Sequence, residues 1–161
     1  MFRNTIITFA LAAFALAGAF AAPVNAVGVG DALEKTERTA EALHDVQASC
    51  EQETDRLADA QTYIDRATLA GSYDEMKFNL DKASNKIDRA ERNLEGVGHE
   101  LKQVKKTIRR LGNVADDLVN KRLSRRLGIL GDRYDEAYGD YKDAVQTIEA
   151  MRQQIDEMIN G

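Results

Sequence analysis

The stretch MKFNLDKASNKIDRAERNLEGVGHELKQVKKTIRRL, residues 76–111, decides the fold. Met76, Leu80, Ala83, Ile87, Ala90, Leu94, Val97, Leu101, Val104, Ile108 and Leu111 follow one another in alternating steps of four and three. That spacing lines up side chains along one stripe of an α-helix, whereas a strand would repeat every second residue. Eleven such positions fall in a fixed frame by chance with a probability of roughly 10⁻⁵, so the pattern specifies a helical seam. Leu or Ile fills every seventh position from Leu80 to Ile108, and Ala83 and Ala90 on the companion row let a neighbouring helix approach closely. Gly96 and Gly98 lie within the same stretch. Each costs about 1 kcal/mol of helix propensity, which marks a bend or a close contact.

Working upstream, Gly71 reads as a helix stop and Ser72-Tyr73-Asp74-Glu75 as a capping box for the seam-bearing helix. Before it, Asp31 is placed to cap a helix running to about Ala70, with Leu43, Cys50, Leu57 and Ile64 spaced by seven. Its companion row reads as Gln47, Thr54 and Gln61, a half-polar seam. Downstream, Gly112-Asn113 reads as a stop followed by a new cap, with Asp116 at the box position. Ala115 and Leu118 nevertheless continue the heptad, and Gly128 to Gly131 followed by Asp132 offers a competing break. The break at Gly112 yields three helices of similar length, about 31–70, 73–111 and 113–160. The last carries Leu118, Leu123, Leu127, Tyr134, Tyr138, Tyr141, Val145, Ile148, Ile155 and Ile159. The predicted fold class is all-α: an elongated antiparallel helical bundle or coiled coil of about three long helices, in one domain over 27–161. A long hairpin that completes its core by oligomerising is the alternative.

Composition agrees with that architecture. Of 161 residues, the only proline and four of the five phenylalanines fall within the first 26, and there is no tryptophan. The remainder is too poor in aromatic and turn-forming residues for a sandwich or barrel, and too regularly apolar for a disordered chain. Residues 1–26 have the form of a secretory signal: Arg3 near the start, an apolar run from Thr5 to Ala22, and Val24-Asn25-Ala26 as a cleavage site. The expected mature chain starts at Val27 and is periplasmic or secreted. The rival is an N-terminal anchor in the inner membrane, since the apolar run is just long enough to span a bilayer.

Charge is distributed unevenly along the chain. The whole carries −5, with 17 acids and 9 bases over residues 31–100 and a net of −5 over 132–161. Between them, Lys102, Lys105, Lys106, Arg109, Arg110, Lys121, Arg122, Arg125 and Arg126 face only Asp116 and Asp117, a net of +7 for residues 101–131. With a turn near Gly112 these cations gather at one end of the rod, where they would bind an anionic surface such as lipid or lipopolysaccharide. The bland alternative is pairing with acids on the neighbouring helices, worth little when exposed. Nucleic acid is not an expected partner of an acidic, exported chain without aromatics in its basic run.

The remaining features carry weak chemistry. Cys50, the only cysteine, fits either an intermolecular disulfide in an oxidising compartment or a small buried hydrophobe. Tyr134, Tyr138 and Tyr141 form a stripe of the kind found in cores and subunit contacts. Nearby Asp132, Glu136, Asp140 and Asp143 lack an EF-hand pattern. Glu41 and His44 have the Glu-x-x-His spacing of di-iron bundles, but no second such pair exists. No haem-attachment, phosphate-loop or nucleophile-elbow motif occurs. These readings predict no enzyme, no cofactor and no metal. The leading expectation is a non-catalytic structural or interaction scaffold of the cell envelope, associating with itself or another helical protein. Membrane-surface binding and a holdase-type chaperone role are the alternatives.

Overall fold

The computed structural model describes residues 28–160. The signal-peptide reading of 1–26 therefore lies outside the described residues. Three long helices follow one another: α1 Val29–Thr68, α2 Tyr73–Asp117 and α3 Lys121–Asn160. At about 1.5 Å per residue each is some 60 Å long or slightly more. Cross-helix contacts give their directions. Asp59–Lys86 and Glu53–Asn93 place later residues of α1 beside earlier residues of α2, so these two run antiparallel. Arg152 meets Asp88 and Glu91, and Lys105 lies over Tyr134, so α2 and α3 are antiparallel too. Arg126–Glu37 and Thr68–Met158 pair early with early and late with late, so α1 and α3 are parallel.

The seam of α2 is buried as the spacing predicts, from Leu80 to Leu111, with Ile108 half-buried and Thr107 taking a buried place beside it. The seam of α1 differs in its second row. Its buried residues are Ala32, Thr36, Thr39, Leu43, Val46, Cys50, Glu53, Leu57, Ala60, Ile64 and Ala67, an unbroken four-three alternation. Gln47, Thr54 and Gln61 flank this row, because the step after each Leu43-type position is three and not four. The polar members of the seam are satisfied within the chain. Thr36 and Thr39 donate to the carbonyls of Ala32 and Lys35, and the Glu53 carboxylate meets Arg56 and accepts from Asn93 Nδ2 at 2.8 Å. In α3 the core row is Leu123, Leu127, Leu130, Tyr134, Ala137, Ala144, Ile148, Met151 and Ile155, with Tyr141 half-buried in the gap. Tyr138 and Ile159 point outward instead.

The helix termini decide where the rod turns. Ser72 Oγ accepts from Glu75 N at 3.2 Å, as the capping-box spacing predicts, while the Glu75 carboxylate accepts from Gly71 N rather than from Ser72. Asp31 does not cap α1; the N-cap is Gly28, and Asp31 sits in the first turn, where its charge suits the helix dipole. The expected break at Gly112 is not there, and neither is the competing one at 128–131. The second helix continues six residues past Leu111, because Val114 and Ala115 extend the seam into the core. That burial outweighs one glycine, which costs about 1 kcal/mol.

The turn lies at 118–120 and closes as a Schellman motif: Asn120 N donates to Ala115 O and Val119 N to Asp116 O. Val119 has φ 48°, the only positive φ at a non-glycine among the described residues. Asn120 then caps α3 through Oδ1, which accepts from Leu123 N at 3.0 Å. All described core residues lie between Ala32 and Ile155, so a piece starting at residue 28 contains the whole of this core.

Candidate anionic-surface interface

Moving the turn from 112 to 118–120 brings the nine sequence-predicted cations to one end of the bundle, on both sides of the turn. Lys102, Lys105, Lys106, Arg109 and Arg110 lie on the last turns of α2, and Lys121, Arg122, Arg125 and Arg126 on the first turns of α3. They occupy roughly the last 20 Å of the rod. The start of α1 lies at the same end, since Glu37 there accepts from Arg126 at 3.0 Å. It brings Asp31, Glu34, Glu37 and Glu41 together with Lys35 and Arg38, which lowers the local excess from +7 to +5.

Pairing consumes little of that charge. Arg126 is held by Glu37, Lys105 sits 5.7 Å from the Tyr134 ring centroid, and Arg110 is also engaged. Lys102, Lys106, Arg109, Lys121, Arg122 and Arg125 are exposed and make no ion pair or hydrogen bond with a described residue. The body of the rod holds both kinds of cation: Lys77, Arg89 and Arg92 are exposed without an ion pair to a described residue, whereas others cross between helices. There Arg152 bridges Asp88 and Glu91 between α3 and α2, and Lys86 bridges to Asp59 on α1.

The other sequence candidates fall elsewhere. Cys50 is 1 % exposed in the α1 seam, where burial, followed by Asp140, Glu51 and Glu53, pushes its thiol up to about 11. An intermolecular bridge through it needs local opening of the bundle. Tyr134, Tyr138 and Tyr141 stack along α3 with ring centroids 5.9 and 6.2 Å apart. Burial raises the Tyr134 hydroxyl above its ordinary value, with Tyr138 and Asp135 adding to the shift. Tyr141 reaches across to α2, and a Cβ built on Gly98 would lie 2.8 Å from its Oη. Close contact therefore explains Gly98, whereas Gly96 faces open space. Glu41 and His44 are both exposed, as are Asp132, Glu136, Asp140 and Asp143. Among the described residues no group of three or more His, Cys, Asp or Glu side chains is placed to hold a metal ion.

Sequence reasoning missed two features. Leu118 and Val119 form the exposed apex of the basic end; the available signal was Asn120 three residues before Leu123, a cap preceding a new apolar row. Glu53, 2 % exposed, occupies a seam position that its charge disguised. No helix among the described residues is long and apolar enough to cross a membrane. Comparison with protein-family models, curated proteins and solved structures finds no match to this chain.

Proposed function

We propose that the protein is a non-catalytic interaction scaffold of the cell envelope that docks on anionic surfaces through the end formed by the α2–α3 turn. The observation that supports this reading is the collection of six exposed, unpaired cations within residues 101–131, a segment of net charge +7 at one end of an otherwise acidic bundle. Near an anionic surface each cation contributes about 1 kcal/mol at low salt, so the local excess amounts to roughly 5 kcal/mol before screening. That attraction weakens within a Debye length of about 10 Å at 0.1 M salt.

Self-association along open seams has less support, since the buried rows of all three helices are filled within one chain. The exposed large apolar residues at the far end, Leu69, Tyr73, Phe78 and Ile159, favour a scaffold role in which that end meets a protein partner. The bundle has no spread arms among the described residues, which gives the chaperone reading no support. The test is charge reversal at Lys106, Arg109, Arg122 and Arg125 to Glu, with Lys77 and Lys82 reversed as the control. The reading expects the first set to abolish binding to anionic vesicles and the second to leave it intact. Equal binding by both sets would remove it.

A further inference from the structure

We propose that the Leu118–Val119 turn is an apolar wedge that enters the hydrocarbon boundary of an anionic bilayer, with the surrounding cations seated on the headgroups. This rests on the anionic-surface reading above and adds a second, apolar mode of attachment to it. Two observations converge on the turn.

The first is conformational. Val119 is 83 % exposed and sits at φ 48°. A β-branched residue in the left-handed region is strained by roughly 1–2 kcal/mol relative to the helical conformation, and glycine fills this Schellman position without that cost. An exposed valine makes no packing contribution that offsets the strain. Strain that the fold does not require is what a recognition residue leaves behind.

The second is apolar grouping. Leu118 is 42 % exposed beside Val119. Antiparallel pairing of Asp59 with Lys86 and Glu53 with Asn93 sets Val29 level with residues 116–117, and Val29 is itself 37 % exposed. Three aliphatic side chains thus lie at this end; the chain places exposed Asp116 and Asp117 just before Leu118 and exposed Lys121, Arg122 and Arg125 just after Val119, within a segment of net positive charge. An apolar tip within a segment of net positive charge matches the layered chemistry of an anionic bilayer, in which charge lies outside hydrocarbon. A soluble polyanion satisfies only the charge.

The chain contains no tryptophan, so a single introduced one reports depth. Leu118→Trp and, at the opposite end, Phe78→Trp are made in residues 28–161, mixed with anionic vesicles, and read by emission and by quenching with brominated acyl chains. The expected result is a blue shift and strong quenching for Leu118→Trp with neither for Phe78→Trp. Leu118→Ser with Val119→Ser should weaken vesicle binding by about tenfold or more while the helical signal is unchanged. Vesicle binding with no quenching of Leu118→Trp overturns the wedge and leaves the electrostatic reading standing. A blue shift without quenching, accompanied by a doubled mass, assigns the tip to a second copy and overturns it as well. Absence of vesicle binding by any form overturns both.

Discussion

Two glycines about half a turn apart in α2 should respond oppositely to the same substitution. Gly96 is exposed in the helix interior with no atom within 4 Å of an added Cβ. Gly96→Ala therefore realises the helix-propensity difference of about 1 kcal/mol in full. For a domain of this size that raises Tm by about 3–4 °C. Gly98→Ala gains the same propensity but drives its Cβ to 2.8 Å from Tyr141 Oη and 3.1 Å from Cζ. The ring has to move, and it is stacked on Tyr138, which is stacked on Tyr134. Losing one such stacking contact costs about 0.5–1.5 kcal/mol, with displaced packing added to it. Gly98→Ala should accordingly come out destabilising by about 1 kcal/mol. In a Tyr141→Ala background the obstruction is gone, and Gly98→Ala should stabilise by about 1 kcal/mol, a coupling of about 2 kcal/mol between the two positions. Urea unfolding of the four proteins of that cycle measures it. The reasoning is refuted if Gly98→Ala stabilises the parent chain as much as Gly96→Ala does.

Three further outcomes follow from named contacts. Val119→Gly relieves the left-handed strain at an exposed site and should stabilise the bundle by about 0.5–1 kcal/mol in urea unfolding, while weakening attachment to anionic vesicles. Arg56→Ala removes the partner of the buried Glu53 carboxylate and should cost about 3 kcal/mol, whereas replacing both by apolar residues of similar size should be nearly neutral; thermal melts compare the two. Cys50 should resist a thiol reagent at pH 8 in the folded protein and react fully in guanidinium. Its thiol holds its proton to about pH 11 against 9.0 for the free group, so the folded state binds the extra proton and stability should fall as pH rises across that window.

The readable parts of the fold are those where large aliphatic side chains mark the core. The seam from Leu80 to Leu111 stands out because its rows are mostly Leu, Ile and Val, and the three-helix architecture follows from it. Rows built from small or polar residues do not stand out. Ala60 and Ala67 in α1, and Ala137 and Ala144 in α3, are buried because neighbouring backbones come close, and alanine carries no signal of that. Glu53 belongs to the core only because Arg56 and Asn93 satisfy it there, which local pattern cannot show. Gly112 imitates a helix stop, yet the burial of Val114 and Ala115 beyond it decides the boundary. The cations of the candidate interface were legible as a charge excess. Which six of them lack an ion-pair partner was not, because it depends on which acids the helix register brings opposite them. The apolar apex at Leu118 and Val119 emerged only with the position of the turn.

The most direct test of the central claim is co-sedimentation of residues 28–161 with anionic and with zwitterionic vesicles, each at low and at high salt. Docking through the six open cations predicts binding to the anionic vesicles alone, strong at low salt and much reduced at high salt. Failure to bind anionic vesicles at low salt, or equal binding to both vesicle types at both salt concentrations, would contradict it.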